Sequence, residues 1–151
     1  MIYSLYGQPG SGKTTLGKLL AARIKTPFII DGDEFRKMFT NKNYGRDGRE
    51  ENIRNANAVA TYLNKKSHPY GHVVISLVNP YKGLREELWD NNEGQYVEVL
   101  LQSNRKLRKK YHVEDFEKGT PNFTINTDDT VSHVWSKLKK NIRHIFYSPI
   151  L

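Results

Sequence analysis

The sequence contains no cysteine, and no apolar run in it approaches the length of a membrane-spanning helix. Without cysteine, the chain can form neither a disulfide framework nor a zinc–thiolate site. A spanning helix needs roughly 20 consecutive apolar residues, so we expect no membrane partner. The five histidines show no spacing that is typical of metal ligands. These absences exclude disulfide-stabilised, thiolate-metal and membrane-spanning proteins.

The sequence also begins without a recognisable targeting segment. Its first residues form an apolar, β-prone run, which leaves no room for a signal peptide. We therefore expect a cytoplasmic protein. The chain has 151 residues, no internal repeat and no low-complexity linker, and we expect one domain over residues 1–151 with a substantial core.

Charge is the most uneven property of the composition. There are 24 Lys and Arg residues against 16 Asp and Glu, which gives a formal net charge of +8. A basic protein favours anionic ligands. These could be nucleic acid or the phosphorylated substrates of a small-molecule enzyme, and charge alone leaves both open.

Apolar patterns with the period of a strand alternate along the chain with patterns that have the period of a helix. Strands are predicted at residues 1–6, 28–30, 72–78, 96–101 and 123–126. Helices are predicted at residues 13–24, 34–39, 50–65, 82–89 and 103–116, with a closing helix after the N-cap residue Thr130. This alternation predicts an α/β fold in which a parallel sheet carries helices on both faces. Ligands of such sheets bind at the carboxyl ends of the strands.

The first strand is followed at once by Gly7-Gln-Pro-Gly-Ser-Gly-Lys-Thr14 and then by a helical pattern. This is the P-loop motif, G-x-x-x-x-G-K-[ST], between the strand and the helix that it requires. Its glycines let backbone N–H groups point inward and form a nest for phosphate oxygens. Lys13 can reach the β- and γ-phosphates, and the Thr14 hydroxyl can bind Mg²⁺. The residues predicted to bind a nucleoside triphosphate are Gly7, Gly10, Ser11, Gly12, Lys13, Thr14 and Thr15.

Two carboxylates follow the second predicted strand. Asp31 and Asp33 flank one glycine, and Arg36 lies one helical turn further on. One carboxylate can hold Mg²⁺ through its water shell, and the other can orient or deprotonate an attacking hydroxyl. The alternative is an Asx turn in which Asp33 caps a helix.

Arginines are concentrated at the start of the third predicted helix. The cluster comprises Arg46, Arg49, Asn52 and Arg54. Arg49 and Arg54 are expected to point toward one anion, because the guanidinium fork matches phosphate and sulfate. The alternative is a solvated helix face with Glu50 and Glu51 as counter-charges.

The densest basic run covers residues 105–110 and follows the fourth predicted strand. In a small kinase, a mobile lid at this place supplies cations to the transferring phosphoryl group. A solvated helix face and a nucleic-acid patch are the alternatives. The pattern does not choose among the three.

Several stretches occur in the order seen in adenylylsulfate (APS) kinases. They are residues 7–15, Asp31-Gly-Asp33 with Arg36, Tyr44 ahead of Arg49-Glu-Glu-Asn-Ile-Arg54, Val74-Ile-Ser76 with Pro80-Tyr81, and Tyr96-Val-Glu-Val99. The sequence resembles a compact member of this family from residue 1 to about residue 101. The resemblance implies a three-layer P-loop kinase fold and transfer of the γ-phosphate of ATP, with Mg²⁺, to the ribose 3′-hydroxyl of APS.

The resemblance also implies roles for individual residues. Asp33 would be the catalytic base, and Asp31 would assist the magnesium ion. Lys13, the lysine of the P-loop motif, is the other predicted catalytic residue. The residues that would contact the acceptor are Asp33, Arg36, Tyr44, Arg49 and Asn52.

The sequence departs from the family at several positions. Asn79 stands where the family usually has Ser, and Lys82 where it usually has Arg. Asn55 replaces the second Arg after the Asn-Ile-Arg run, and Gly48 replaces an Asp. The aromatic-containing loop that clamps the adenine of APS is missing, and residues 119–123 are left in its place.

These departures leave the acceptor open. A small anionic molecule, APS or a close relative, is the first hypothesis. A nucleotide, a modified base or a nucleic-acid end, recruited by the basic run, is the second. A non-catalytic or switch-like module is disfavoured, because no guanine-reading N-K-x-D stretch occurs and the third strand ends in Ser76 without an acidic residue. The oligomeric state is not predicted, and a dimer is one option.

Overall fold

The computed structural model of the protein describes residues 1–69, 71–105 and 109–147. The strands are β1 (Ile2–Tyr6), β2 (Ile29–Asp31), β3 (Val73–Leu77), β4 (Tyr96–Gln102) and β5 (Phe123–Asn126). The α-helices are α1 (Lys13–Arg23), α2 (Gly32–Met38), α3 (Arg46–Ser67), α4 (Lys82–Asn91) and α5 (Val131–Tyr147). A single 3₁₀ turn at Lys109–Tyr111 lies between β4 and β5. None of the described helices is long and apolar enough to cross a membrane.

The five strands form one parallel sheet in the order β2-β3-β1-β4-β5. β1 lies at its centre, with Ile2 opposite Val73 on one side and Tyr96 on the other. Every residue of β1 is buried. Because all strands run the same way, the P-loop and the ends of β2 and β3 meet at one edge. The predicted α/β fold is confirmed.

Two apolar clusters cover the two faces of the sheet. The first includes Ile2, Ala56, Ala60, Ile75, Leu84 and Leu88, from two strands and from α3 and α4. The second includes Tyr3, Leu5, Leu16, Leu20, Val134 and Leu138, from β1 and from α1 and α5. Successive side chains of a strand point to opposite faces, so β1 contributes to both clusters. The predicted three layers are confirmed.

Some element boundaries differ from the predictions. α2 begins at Gly32 because the Asp31 carboxylate accepts hydrogen bonds from the first N–H groups of this helix. α3 begins at Arg46 rather than residue 50, and so includes Gly48. A β-carbon on Gly48 would lie 2.0 Å from the Asn43 carbonyl oxygen, so only glycine lets the preceding loop pack against the first turn of α3.

The prediction of a helix over residues 103–116 was wrong for the described part of that stretch. Its one regular element is the 3₁₀ turn, and residues 106–108 lie outside the described residues. The backbone N–H and C=O of Val113 are bonded to the Gln8 side chain, so they are not available to a helix. A tertiary contact therefore replaces the local hydrogen bonds on which the periodicity argument depended.

Candidate active site

The P-loop turns sharply between β1 and α1. Gly12, the residue before α1, has φ +98°, a left-handed value that favours glycine. Gly7 has a different constraint: a β-carbon there would lie 2.4 Å from the Leu101 carbonyl oxygen of β4. The two glycines allow the loop to curl tightly against the sheet, the backbone shape from which a phosphate nest is built.

Lys13 is folded back over this loop. Its Nζ donates to the Gln8 carbonyl oxygen at 2.8 Å and to Ser11 Oγ at 3.3 Å, and the residue is 9% exposed. From the end of β3, Ser76 Oγ donates to the Lys13 carbonyl oxygen at 3.0 Å. A β-carbon on Gly17 would lie 2.3 Å from Ser76 Oγ, so this glycine permits the close approach of α1 to β3. The ammonium group is thus held by two oxygens of the loop itself, while the end of β3 fixes the backbone of Lys13.

Asp31 joins the P-loop to the start of α2. Its Oδ2 accepts a hydrogen bond from Thr14 Oγ1 at 2.7 Å, and its Oδ1 accepts from the N–H groups of Asp33 at 3.0 Å and Glu34 at 3.4 Å. Asp31, and not Asp33, is therefore the cap of α2. Asp33 is exposed, and its carboxylate is not used to cap the helix.

The Thr14–Asp31 pair has the chemistry of a magnesium site. Mg²⁺ prefers oxygen ligands and usually keeps several waters beside one or two carboxylates and substrate phosphates. No group of three or more His, Cys, Asp or Glu residues that could hold a metal occurs among the described residues. A hydroxyl and a carboxylate oxygen 2.7 Å apart at the mouth of the P-loop fit an ion that shares its remaining positions with phosphate and water.

A cleft of about 860 Å³ opens over these groups at the carboxyl edge of the sheet. All five predicted acceptor residues line it, namely Asp33, Arg36, Tyr44, Arg49 and Asn52. Of the predicted nucleotide-binding residues, Gly10, Gly12, Lys13, Thr14 and Thr15 also line it. Gly7 and Ser11 do not line it, and both are buried. The fold therefore brings predicted site residues that are as far apart in the chain as Gly10 and Asn52 into one cleft.

Arg36 is held in place at the edge of the cleft by the loop that follows α2. Its Nη1 donates to the Asn43 carbonyl oxygen at 2.8 Å, and its Cζ lies 4.2 Å from the centre of the Tyr44 ring. Partial burial lowers the pKa of Arg36; the field of Tyr44 opposes that shift, the Arg49 charge adds to it, and the Asp33 charge opposes it. The guanidinium groups of Arg36 and Arg49 and the carboxylate of Asp33 therefore lie close enough to affect one another electrostatically.

Arg49 and Arg54 do not point toward one anion, so that expectation was wrong. Arg49 lines the cleft, and its Nη1 lies 3.9 Å from Asp115 Oδ1. Arg54 does not line the cleft, is more than half exposed, and has Nη1 3.9 Å from Glu87 Oε2 on α4. Residues five apart on an α-helix diverge by about 140°, because each residue turns the helix by about 100°.

Two residues that line the cleft come from the segment after β4, and we did not predict either. The ring of Tyr111 lies 4.8 Å from the ring of Tyr44 at an angle of 40°. The Val113 N–H donates to Gln8 Oε1 at 3.0 Å, and its carbonyl accepts from Gln8 Nε2 at 2.8 Å. Tyr111 is preceded by the basic run, and Gln8 occupies a variable position of the P-loop motif. No spacing in the sequence could have connected them.

Arg85 is a further residue that we missed. It is 1% exposed, and it donates to the carbonyl oxygens of Asn79 at 2.7 Å and Glu117 at 2.6 Å. Its Nε lies 3.6 Å from Glu98 Oε1, and its Cζ lies 4.4 Å from the centre of the Tyr6 ring. Burial raises the pKa of Glu98, and the charge of Arg85 opposes that shift. In the sequence Arg85 looks like a solvated helical charge, whereas in the fold it connects the end of β3 to the segment before β5.

Arg105 and Lys110, at the described ends of the basic run, make different contacts. Arg105 Nε is 3.0 Å from Asp128 Oδ1, and Arg105 Nη2 donates to the Thr127 carbonyl oxygen at 3.2 Å. Lys110 Nζ lies 5.4 Å from the centre of the Tyr111 ring. Neither residue lines the cleft, and residues 106–108 lie outside the described residues.

Two curated proteins resemble the chain over most of its length. A cytidine diphosphoramidate kinase from Campylobacter jejuni is 30% identical over 105 residues, which cover 65% of this chain and 58% of that protein. A cytidylate kinase from Pyrobaculum arsenaticum is 26% identical over 120 residues, which cover 74% of this chain and 65% of that protein. The chain thus spans less than two thirds of the length of these relatives.

The fold has close counterparts among solved structures. The APS kinase of Mycobacterium tuberculosis, solved in complex with AMPPNP and APS, matches with a TM-score of 0.76 and 17% identity over 94% of this chain and 96% of that one. At this identity the likeness shows the fold, which is that of the P-loop kinases. The sequence model of the adenylylsulphate kinase family matches residues 1–125, well over half of the chain, and the protein therefore belongs to the adenylylsulphate kinase family.

Proposed function

We propose that the protein is an ATP-dependent kinase that transfers the γ-phosphate to a hydroxyl of a small anionic acceptor, APS or a related nucleotide. One observation carries the proposal. The P-loop lysine and the Thr14–Asp31 pair open into the same cleft as an exposed carboxylate, Asp33, and two arginines, Arg36 and Arg49. A phosphoryl donor site and an anionic acceptor site would thus be adjacent.

The donor half would act through positioning and charge. Inward-facing N–H groups of the P-loop would hold the phosphates, and Lys13 would stabilise the charge that develops between the β- and γ-phosphates. Thr14 and Asp31 would hold Mg²⁺. When bound, Mg²⁺ supplies positive charge that offsets the charge of the phosphate oxygens.

The acceptor half would bind the substrate whose hydroxyl is the nucleophile. The acceptor oxygen attacks the γ-phosphorus, the bond from that phosphorus to the bridging oxygen breaks, and ADP leaves. The hydroxyl proton passes to the Asp33 carboxylate, which is exposed in the cleft and can act as a general base. Arg36 and Arg49 would bind the anionic group of the acceptor, because forked guanidinium donors match sulfate and phosphate.

A nucleotide is the acceptor class that the observations favour. The names of both curated relatives specify cytidine nucleotides, and the family is named for APS, so all three names share a nucleotide. Tyr44 and Tyr111 offer aromatic rings at the acceptor side, where stacking on a base contributes ~1–3 kcal/mol. A sugar acid without a base would leave these rings unused.

The test is transfer of label from γ-³²P-ATP to a panel of APS, CMP, CDP, a sugar acid and a DNA oligonucleotide. The expected result is labelling of APS or of a cytidine nucleotide, with the label on the ribose and not on an existing phosphate. Lys13→Ala serves as the inactive control. Robust labelling of the oligonucleotide or the sugar acid, with none of APS, CMP or CDP, would overturn the proposal.

A further inference from the structure

Two asparagines that line the cleft have buried amide atoms without hydrogen-bond partners among the described residues. Asn79 is 1% exposed, and neither its Nδ2 nor its Oδ1 has a hydrogen-bond partner among the described residues. Asn52 is 3% exposed, and its Oδ1 is likewise without a partner in the described part of the chain. Both residues line the cleft. A buried polar atom without a partner costs free energy, so three such atoms on residues that line one cleft require an explanation.

The backbone of Asn79 is held without help from its amide. Its carbonyl oxygen accepts a hydrogen bond from Arg85 at 2.7 Å. The preceding carbonyl, of Val78, accepts from the Gly7 N–H at 3.3 Å, and the following one, of Pro80, accepts from the Glu117 N–H at 2.8 Å. The turn is therefore fixed by three backbone carbonyls, and the side-chain amide contributes none of these bonds.

Backbone conformation explains only part of the choice of asparagine. Asn79 has φ +47°, a left-handed value that asparagine tolerates better than most residues. Glycine adopts that conformation more readily and would bury no orphaned amide. A need for a left-handed turn therefore does not account for the two unpaired amide atoms.

The unpaired atoms match a neutral ligand group better than an anionic one. Asn52 Nδ2 donates to the Gly32 carbonyl oxygen at 3.4 Å, so Asn52 Oδ1 remains as an acceptor. Asn79 adds one donor group and one acceptor. Sulfate and fully ionised phosphate only accept hydrogen bonds, whereas a hydroxyl both donates and accepts. The anionic group has cations elsewhere in the cleft, at Arg36 and Arg49.

We propose that Asn79, together with Asn52 Oδ1, binds the sugar hydroxyls of the acceptor and determines selectivity for a ribose over a deoxyribose. This inference rests on the proposed function and deepens it, because it makes a hydroxyl-rich sugar part of what the cleft recognises. A site built to hydrogen-bond a hydroxyl discriminates strongly against the analogue that lacks it, because its own buried groups are then left unpaired. The Asn79 amide is already unpaired in the absence of acceptor, so removing it should not weaken the fold.

The experiment compares wild type, Asn79→Gly and a matched control, Asn57→Ala. Asn57 is also a buried asparagine whose Oδ1 lacks a partner among the described residues, but it does not line the cleft. Turnover of CMP and 2′-deoxy-CMP is measured with ATP, and binding of both is measured by calorimetry with AMPPNP present. Thermal unfolding midpoints are recorded for all three proteins.

Wild type is expected to prefer CMP over 2′-deoxy-CMP by on the order of tenfold or more, mainly through KM or Kd. Asn79→Gly is expected to reduce this preference to within about twofold, with the KM for ATP unchanged and the midpoint not lowered. Asn57→Ala is expected to keep the preference. An unchanged preference in Asn79→Gly overturns the inference, as does a lowered midpoint with equal losses toward ATP and both acceptors. If wild type neither binds nor phosphorylates any nucleotide of the panel, the proposed function fails and the inference fails with it.

Discussion

The two halves of the cleft are built in different ways. Apart from Asp31, the donor half comes from one short stretch, the P-loop, in which backbone turns shape the site and the principal side chain, Lys13, is 9% exposed. The acceptor half combines side chains from α2, the loop between α2 and α3, α3, the end of β3 and the segment after β4. Tyr44, in the loop before α3, is 45% exposed. The donor half is thus nearly contiguous in sequence, whereas the acceptor half spans residues from 33 to 113.

This difference indicates where specificity resides. A site made of backbone N–H groups depends little on neighbouring side chains, so it suits a donor common to many kinases. The ligand preference of a site made of side chains depends on each of those side chains, so a substitution can change it. Of the departures of this chain from its family, Asn79 lines the cleft, and Gly48 lets the loop before α3 pack against the first turn of that helix.

Lys13→Ala should abolish most phosphoryl transfer if the donor half works as described. Removing a group that stabilises transition-state charge typically lowers turnover by about 10²–10³-fold. The fold should lose only about 1 kcal/mol for the bonds to Gln8 and Ser11. Steady-state rates and chemical unfolding measure both. Lys18→Ala, at an exposed position of α1, is the matched control. Near-normal turnover in folded Lys13→Ala protein would contradict the assignment.

Asp33→Asn should separate chemistry from nucleotide binding. The amide keeps the size of the carboxylate but cannot take a proton, so turnover should fall by ~10²–10⁴-fold. Binding of Mg-ATP should stay within about tenfold of wild type, because Thr14 is paired with Asp31 and not with Asp33. Calorimetry with AMPPNP beside rate measurements checks this. The control is Glu34→Gln, at the neighbouring exposed carboxylate of α2. Loss of nucleotide binding without a separate rate defect would give Asp33 a metal-holding role instead.

Arg49→Ala should harm the acceptor half alone, and Arg54→Ala provides a control on the same helix. A hydrogen bond to a charged group contributes about 1.5–3 kcal/mol, so the KM for an anionic acceptor should rise roughly 10- to 100-fold in Arg49→Ala. Arg54 is exposed and faces Glu87, so its removal should change that KM by less than about twofold. Neither variant should alter the KM for ATP. Equal effects of the two substitutions would show that the divergence of the two arginines on α3 does not matter for function.

The same contrast explains what could be predicted from the sequence. The P-loop, the parallel sheet and the positions of Asp31, Asp33 and Arg36 follow from local patterns, because a strand, a tight turn and a helix determine them within a few residues. The pairing of Gln8 with Val113 could not be predicted, since it joins residues 105 apart through a backbone that no periodicity describes. The burial of Arg85 was hidden for a similar reason, because its partners are backbone carbonyls of distant segments.

Charge geometry on α3 was only partly predictable. Arg49 and Asn52 of the arginine cluster line the cleft, whereas Arg46 and Arg54 do not. Side-chain direction depends on the angle around the helix, and that angle separates Arg49 from Arg54. Arg46 and Arg49 also lie close to Asp115, in the segment after β4, and no pattern in the sequence connected this carboxylate with the two arginines.

Asp115→Asn should have the smallest effect, and in the opposite direction to the others. Asp115 lies 3.2 Å from Arg46 and 3.9 Å from Arg49, and Arg49 lines the cleft, so we expect Asp115 to compete with an anionic acceptor for the Arg49 guanidinium. Exposed ion pairs contribute about 0.2–1 kcal/mol, so the KM for the acceptor should fall by no more than about fivefold. The change should shrink as salt rises, because screening weakens the pair that the substitution removes. Acceptor KM is measured at two salt concentrations, with Glu114→Gln as the adjacent exposed control. A raised KM in Asp115→Asn would mean that the carboxylate orients Arg49 for the acceptor and does not compete with it.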